Sequence, residues 1–307
     1  MIRVDGLAKL FGGRVAIEGI SFEVQPGEVF GLLGPNGGGK TTTMRLIAGL
    51  LKPTAGSATV AGRSLAEDGE ARHLLGFLTE QPGLYERLTA SENLAFFARL
   101  QGLSGEMVRV RSDEALRAVD LQDRAAEKVG TFSKGMRQRL AVVRALLHQP
   151  RAILLDEPTS GLDPEAAAGV RRIIAREATR GAAVIVSTHN LAEAERLCHR
   201  VAVVKNRLLS VVDDREARLR RVVIRARQIP DGALTVLNSL PGLRTATPTE
   251  TGILLAVDGP EAVADAVAHL AGRGARIDEV VALHRPLEER YLEAVGASDV
   301  DMEGAEG

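Results

Sequence analysis

The hydrophobic positions fall in short runs whose period changes along the chain. Residues 1 to about 30 alternate and turn often, and Val15–Ile17, Ile20–Val24 and Glu28–Leu33 predict short strands. A glycine-rich loop follows, and then a helix from about Lys40 to Leu50. Lys52–Ser57 is a turn and Ser57–Val60 another short strand. From about residue 85 to 149 the period becomes helical, with Leu88, Leu94, Phe97 and Leu100, then Leu116, Val119 and Leu121, spaced to share helix faces. Ala152–Leu155 and Ala183–Val186 are unbroken apolar runs that end in polar residues. Such runs suit parallel strands buried on both faces, and a helix over Glu165–Thr179 lies between them. This alternation predicts an α/β core carrying a helical insertion.

The character changes near residues 211–220, where a run of charged residues reads as a linker. Beyond it the pattern predicts a strand at Arg221–Arg227 and a helix at Gly232–Leu240. Strands follow at Leu243–Thr247 and Gly252–Val257, then a helix at Glu261–Gly272 and a strand at Ala275–Leu283. The order βαββαβ is that of a ferredoxin-like unit. A short helix at Leu287–Val295 completes an accessory domain over 221–295. The last residues, 296–307, hold four acids and no base and are expected to form a disordered acidic tail.

Composition narrows the class. With 45% hydrophobic and 26% charged residues, the 307-residue chain reads as a globular protein. A formal charge of −1 gives no global field for a nucleic-acid partner. The charge-free run from Gly181 to Ala192 falls short of the ~18 apolar residues of a membrane span, and the N-terminus lacks the apolar core of a signal peptide. A single cysteine, Cys198, excludes an internal disulfide and a cysteine-rich metal site. The expected compartment is cytoplasmic. With 3% aromatic residues and no Trp, the core is expected to be aliphatic.

The chemistry begins at Gly34, Pro35, Asn36, Gly37, Gly38, Gly39, Lys40 and Thr41, which fit G-x-x-x-x-G-K-[ST] between a strand and a helix. Glycines let backbone N–H groups turn toward phosphate oxygens, and the following helix presents its positive end to the same charge. Lys40 is placed for the β- and γ-phosphates and the Thr41 hydroxyl for Mg²⁺. Asp156 and Glu157 end a buried strand. The first is suited to holding Mg²⁺ beside Thr41, and the second to polarising an attacking water as general base. His189 ends the next apolar strand, where it could contact the γ-phosphate and orient water. Asn190 and Glu193 after it have capping-box spacing.

These motifs, in this order, resemble those of the nucleotide-binding subunit of an ATP-binding-cassette (ABC) transporter over residues 1 to about 210. Within that resemblance Phe11 is similar to the aromatic that stacks on adenine, and Gly34–Thr42 to the Walker A loop. Gln81 resembles the Q-loop glutamine, which touches Mg²⁺ and links the site to the helical subdomain. Asp156 and Glu157 resemble Walker B, Ser160–Asp163 the D-loop, and His189 the switch histidine. Phe132–Met136 stands where the family usually has Leu-Ser-Gly-Gly-Gln. The resemblance implies that Ser133, Gly135, Met136 and Asp163 face ATP held by a second subunit. The chain departs from the pattern at Phe132, Lys134 and Met136, keeping Ser133 and Gly135, and also at Gly38, where alanine is commoner and where glycine is expected only to loosen the loop.

The implied fold class is thus α/β: a P-loop NTPase core of the ABC ATPase type over 1–210, its helical subdomain at about 85–149, plus a small C-terminal α+β domain. The implied activity is ATP hydrolysis with Mg²⁺, by two cassettes that pair head to tail. One motif set per chain requires a second ATPase subunit, a homodimer or a similar chain, and the channel is expected to be a separate integral-membrane permease docking over about Gln81–Leu100. The resemblance thus puts the protein at the inner face of the cell membrane. The ending His284–Gly296, with its Pro286-Leu287-Glu288 segment, resembles ABC-2 type ATPases that export drugs, ions or lipids. An importer ATPase remains open, as does a soluble ABC ATPase acting on ribosomes or DNA. The absence of a second cassette, of a long heptad insertion between Thr41 and Ser133, and of excess positive charge disfavours the latter.

Overall fold

The computed structural model describes residues 1–213, 220–283 and 287–303. The chain divides into two compact units, one of Met1–Val212 with the chain from Ala294 onward, the other of Asp213–Glu293.

In the first unit the strands, among the described residues, form one mixed sheet in the order β4-β1-β2-β9-β8-β3-β7-β6-β5. The strands are β1 (Ile2–Phe11), β2 (Arg14–Val24), β3 (Val29–Leu33), β4 (Ala55–Val60), β5 (Leu75–Leu78), β6 (Ala152–Asp156), β7 (Ala183–Thr188), β8 (Arg200–Lys205) and β9 (Arg207–Asp213). One end is antiparallel, with β1 paired to β2 and β4. The other end, β8-β3-β7-β6-β5, is parallel. Strands β3, β6 and β7 are buried at every position, as unbroken apolar runs require of strands covered on both faces. The core is largely aliphatic, with Phe22 stacked on Phe30 at 4.9 Å between ring centroids.

Helices α1 (Lys40–Ile47), α2 (Ala90–Leu100), α3 (Glu106–Ala118), α4 (Lys134–Leu146), α5 (Pro164–Thr179) and α6 (Leu191–Leu197) complete this unit. Helices α2 to α4 lie within the stretch of helical period. Thr89 opens α2 with a full capping box, its hydroxyl accepting from Glu92 N while Thr89 N donates to the Glu92 carboxylate. At α6 the reciprocal half of the box is absent. Asn190 accepts from Glu193 N, but the Glu193 carboxylate pairs with Arg171 at 3.0 Å.

The second unit contains β10 (Arg220–Ala226), α7 (Ala233–Leu237), β11 (Leu243–Thr249), β12 (Gly252–Val257), α8 (Pro260–Gly272) and β13 (Ile277–Leu283). Its strands pair antiparallel in the order β11-β12-β10-β13, the arrangement of the ferredoxin-like unit. Ile224, Leu237, Ile253, Leu255 and Leu270 fill its own core. Helix α9 (Leu287–Glu303) follows.

Two boundaries differ from the expectation. The linker is narrower than 211–220, because β9 runs to Asp213 and β10 starts at Arg220; residues 214–219 lie outside the described residues. The segment expected as a disordered tail from 296 is helical to Glu303, while 304–307 lie outside the described residues, as do 284–286 in the export-like ending. The segment contains no proline, and each residue added to an existing helix needs no new nucleus; Gly296 inside it costs only about 1 kcal/mol. Among the described residues no helix is long and apolar enough to cross a membrane.

Candidate functional site

Register brings the predicted chemistry to one edge of the parallel strands. Leu33 of β3 pairs with Thr188 of β7, Asp156 of β6 with Ser187 of β7, and Leu78 of β5 with Leu155 of β6. The Gly34–Gly39 loop, the Asp156–Glu157 pair, His189 and the segment leading to Gln81 therefore all leave the sheet at its carboxyl ends. That crevice is where open α/β sheets bind ligands.

The loop is shaped by close approach as much as by turning. Gly37 and Gly39 have φ of 81° and 95°, the left-handed region that favours glycine. A Cβ on Gly34 would collide with the Val204 carbonyl, and one on Gly39 would meet Ile17 Cγ2 at 2.5 Å. At Gly38 a Cβ would lie 2.9 Å from Val204 O and 3.1 Å from Pro35 O. The expectation that Gly38 only loosens the loop is therefore corrected: its bare backbone lets the loop sit tightly on the end of β8. Asn206, in the turn after β8, holds that contact, because its N–H donates to Gly38 O at 2.9 Å and its amide to Ala16 O at 3.1 Å.

Lys40 opens α1 and folds back over the loop. Its Nζ donates to Gly34 O at 2.7 Å and Pro35 O at 3.0 Å. The residue is only 6% exposed. Burial pushes its pKa below the ordinary lysine value, while the charges of Glu157 and Asp156 act in the opposite sense. Thr41 and Thr42 follow on α1, both partly buried. Pro35, Asn36 and Gly37 form the exposed crest.

Asp156 is 1% exposed. Its Oδ1 accepts from the Ser187 hydroxyl at 2.5 Å, and its Oδ2 is buried with no partner among the described residues. A carboxylate oxygen left in this state suits a cation ligand. Glu157 has φ of 49°, an uncommon conformation for a side chain with a Cβ. Its N–H donates to the same Ser187 hydroxyl at 2.9 Å. Its carboxylate Oε1 lies 2.9 Å from His189 Nδ1, so the strand-end acid and histidine form one unit.

Ser187 was not singled out by sequence reasoning, yet it ties Asp156 to Glu157. The available signal was its place as the first polar residue after the apolar run Ala183–Val186. Ser187→Ala leaves Asp156 Oδ1 and Glu157 N without their partner. Such losses cost ~1–3 kcal/mol each. The expected result is a lower thermal midpoint together with at least a fivefold loss of ATP turnover, measured by phosphate release.

Phe11 ends β1 and is 48% exposed, with Lys9 Nζ 5.1 Å from its ring centroid. An open ring at that position is available for stacking. Gln81 is exposed in the loop after β5, and its carbonyl accepts from the Thr79 hydroxyl at 2.8 Å.

Ser133, Gly135, Met136 and Asp163 form a second group, at the starts of α4 and α5. Ser133 caps α4 by accepting from Met136 N at 3.2 Å, and Asp163 caps α5 by accepting from Ala166 N at 2.9 Å. A Cβ on Gly135 would stand 3.2 Å from that of Ala166. The Lys134 ammonium lies over Gly161, whose missing side chain leaves it room. The buried Gln138 amide donates to Pro158 O at 2.9 Å, fastening α4 to the segment just past Glu157. Among the described residues no hydrogen bond joins the first turn of α4 to the phosphate loop. The chain therefore carries two separate groups: the glycine-rich loop with Lys40 and the Glu157–His189 pair, and the capped starts of α4 and α5.

Similarity to known proteins follows the same motifs. The sequence model of the family described as ABC transporter matches residues 17–160. The uncharacterized ABC transporter ATP-binding protein YhcH of Bacillus subtilis (strain 168) is 38% identical over 99% of each chain. The Nod factor export ATP-binding protein I of Burkholderia pseudomallei (strain 1710b) is 40% identical, over 64% of this chain and 65% of that one. Among solved structures, a dimeric ATP-binding cassette in a post-hydrolysis state bound to ADP and Pi superposes with a TM-score of 0.63 at 28% identity. It covers 69% of this chain and 98% of its own.

Proposed function

Because the chain belongs to the ABC transporter family of ATP-binding subunits, we propose that it hydrolyses MgATP between two head-to-tail cassettes to drive export through a separate membrane permease. The observation that carries this reading is the convergence of Lys40, Asp156 and the Glu157–His189 pair on one sheet edge, with Ser133 held apart at a capped helix start.

In this mechanism the loop N–H groups from Gly34 to Gly39 and the start of α1 hold the phosphates. Lys40 leaves the carbonyls of Gly34 and Pro35 for the β- and γ-phosphates, which relieves a buried cation by giving it anions. Mg²⁺ fits the residues present: Asp156 Oδ2 offers a buried oxygen without a partner, and the Thr41 hydroxyl and Gln81 lie on flanking segments. When bound, the ion supplies charge neutralisation on the β- and γ-oxygens. Glu157 accepts the proton of the attacking water, and His189, 2.9 Å from it, fixes the carboxylate and supports the in-line geometry. The partner subunit's signature segment, equivalent to Ser133 and Gly135, closes on the γ-phosphate with the positive end of its helix. Phe11 stacks on the adenine.

We assign the permease contact to the segment around Gln81–Leu100. Tyr85, Phe96 and Leu100 are exposed there, and the rings of Tyr85, Phe96 and Phe97 pack at 5.2–5.9 Å between centroids. Arg144 caps this cluster over Phe97 at 4.6 Å and donates to Gly83 O, which couples the patch to the loop that carries Gln81. An apolar patch on a charged surface suits a protein partner. Export is favoured by the similarity to the Burkholderia Nod factor export ATP-binding protein, and this reading places the chain at the inner face of the membrane.

Affinity purification in mild detergent, followed by mass spectrometry, tests the reading. The expected result is an abundant multi-span membrane protein co-eluting with the chain, and its loss on Tyr85→Asp/Phe96→Asp substitution. Recovery with ribosomal or DNA-associated proteins alone would leave the ATPase chemistry and remove the transport role.

A further inference from the structure

We propose that the groove between α3, α4 and α5 is an anion site that takes a small ligand carrying two or more phosphoryl groups. The groove has a main lobe of about 600 Å³ that continues into a second of about 290 Å³, the two sharing Ala118 and Arg176. That size lies in the range of small-ligand sites. Six arginines line it: Arg111, Arg117, Arg176 and Arg180 in the main lobe, with Arg139 and Arg172 in the second. Glu114, Glu177 and Asp120 are the acids facing them, so the groove keeps a formal excess of three positive charges in a chain whose net charge is −1.

The pairing within the groove leaves part of this charge unanswered. Arg111 pairs with Glu114 at 2.9 Å, and Arg176 and Arg180 share Glu177 at 3.0 Å. Arg117, Arg139 and Arg172 make no ion pair among the described residues. Arg139 goes further, because its Nε is buried with no acceptor. A buried donor in that state is costly and calls for a partner. Arg139 and Arg172 also lie against the same residue of α5, Gly169, whose ideal Cβ would stand 3.6 Å from Arg139 Cδ and 3.9 Å from Arg172 Nη2. Two like charges beside one glycine, neither of them ion-paired with Asp120, the acid of that lobe, leave potential for an anion.

Guanidinium forks match phosphate oxygens in pairs and remain charged at any working pH. Arginines in both lobes favour a ligand with separated phosphoryl groups over a single inorganic phosphate. The helices so bridged are those capped by Ser133 and Asp163, so a ligand here would tie α4 and α5 to α3.

The test is calorimetric titration of the full chain with inorganic tripolyphosphate, in three backgrounds. Lys40→Ala removes the phosphate loop's contribution, and this variant is expected to retain one tripolyphosphate site whose affinity falls as salt rises. Adding Arg117→Gln and Arg172→Gln is expected to weaken that site at least about tenfold, the scale of lost charge-assisted hydrogen bonds. Both arginines are exposed and unpaired, so the thermal midpoint should stay unchanged; the Arg117→Lys/Arg172→Lys protein should recover part of the affinity. No titratable site in Lys40→Ala, or a site indifferent to the arginine substitutions, would overturn the proposal. So would tighter binding of a poly-glutamate peptide than of tripolyphosphate, which would make the groove a protein contact. If Lys40→Ala alone changed nothing, the phosphate-loop reading would fail while the arginine comparison still stood.

Discussion

Glu157→Gln is expected to retain nucleotide binding and to lose at least ~10²-fold in ATP turnover, the scale of a general base. The substitution keeps the size and reach of the side chain and removes its charge and its capacity to take a proton. The backbone of residue 157 is held in its φ of 49° by its own N–H, which donates to Ser187, and that contact does not involve the carboxylate. The variant should therefore fold as the parent does. Trapped with ATP, it should accumulate as a dimer, because closure without turnover leaves the nucleotide between the subunits. Single-turnover phosphate release and size-exclusion chromatography with ATP read both effects. Turnover at the parental rate would remove Glu157 from the role of base and pass it to another group.

Lys40→Ala is the second large effect, and it acts on binding. The ammonium is buried against Gly34 O and Pro35 O, of which only Pro35 lies on the exposed crest, so its removal leaves the buried Gly34 carbonyl one donor short. Burial already lowers its pKa, so the site holds the charge at a cost that only anions offset. Loss of its charge-assisted contacts to phosphate should weaken nucleotide binding by roughly 10- to 100-fold. The thermal midpoint without nucleotide should change little, because relief of the buried charge offsets the Gly34 carbonyl left without its donor. Equilibrium dialysis with labelled ATP separates the outcomes: parental affinity would count against the phosphate-loop reading, and a collapsed midpoint would recast Lys40 as a structural residue.

Where chemistry depends on local spacing, the sequence was readable. The Gly34–Thr41 loop is a contiguous pattern, and the fully buried β3, β6 and β7 appear as unbroken apolar runs. The ferredoxin-like order of the second unit was equally legible, because its elements are short, regular and separated by turn residues. Strand β1 was not. Its pairing with β2 shifts register between Val4 and Leu7, again to Lys9 and again to Leu10, and each shift breaks the period of two on which strand recognition rests. Strand β5 has only four residues, Leu75–Leu78, too few for a period to show. Glu193 shows a subtler limit: its spacing from Asn190 predicts a capping box, but Arg171, distant in sequence, captures the carboxylate.

By itself, then, the sequence determined the kind of chemistry: a phosphate-cradling loop, two strand-end acids, a strand-end histidine and a serine-capped helix, each set by residue type at fixed local spacing. The tertiary structure alone decided how they meet. Parallel register places Asp156 opposite Ser187 and brings Glu157 within 2.9 Å of His189. The close approach of Val204 and Asn206 decides that Gly38 is a packing requirement. The helix packing that gathers six arginines into one groove was likewise invisible in a chain of nearly balanced charge. The physical reason is the same in each case. Hydrogen bonds, steric contacts and charge excess depend on distance in space, and strand register and helix packing set that distance between residues far apart along the chain.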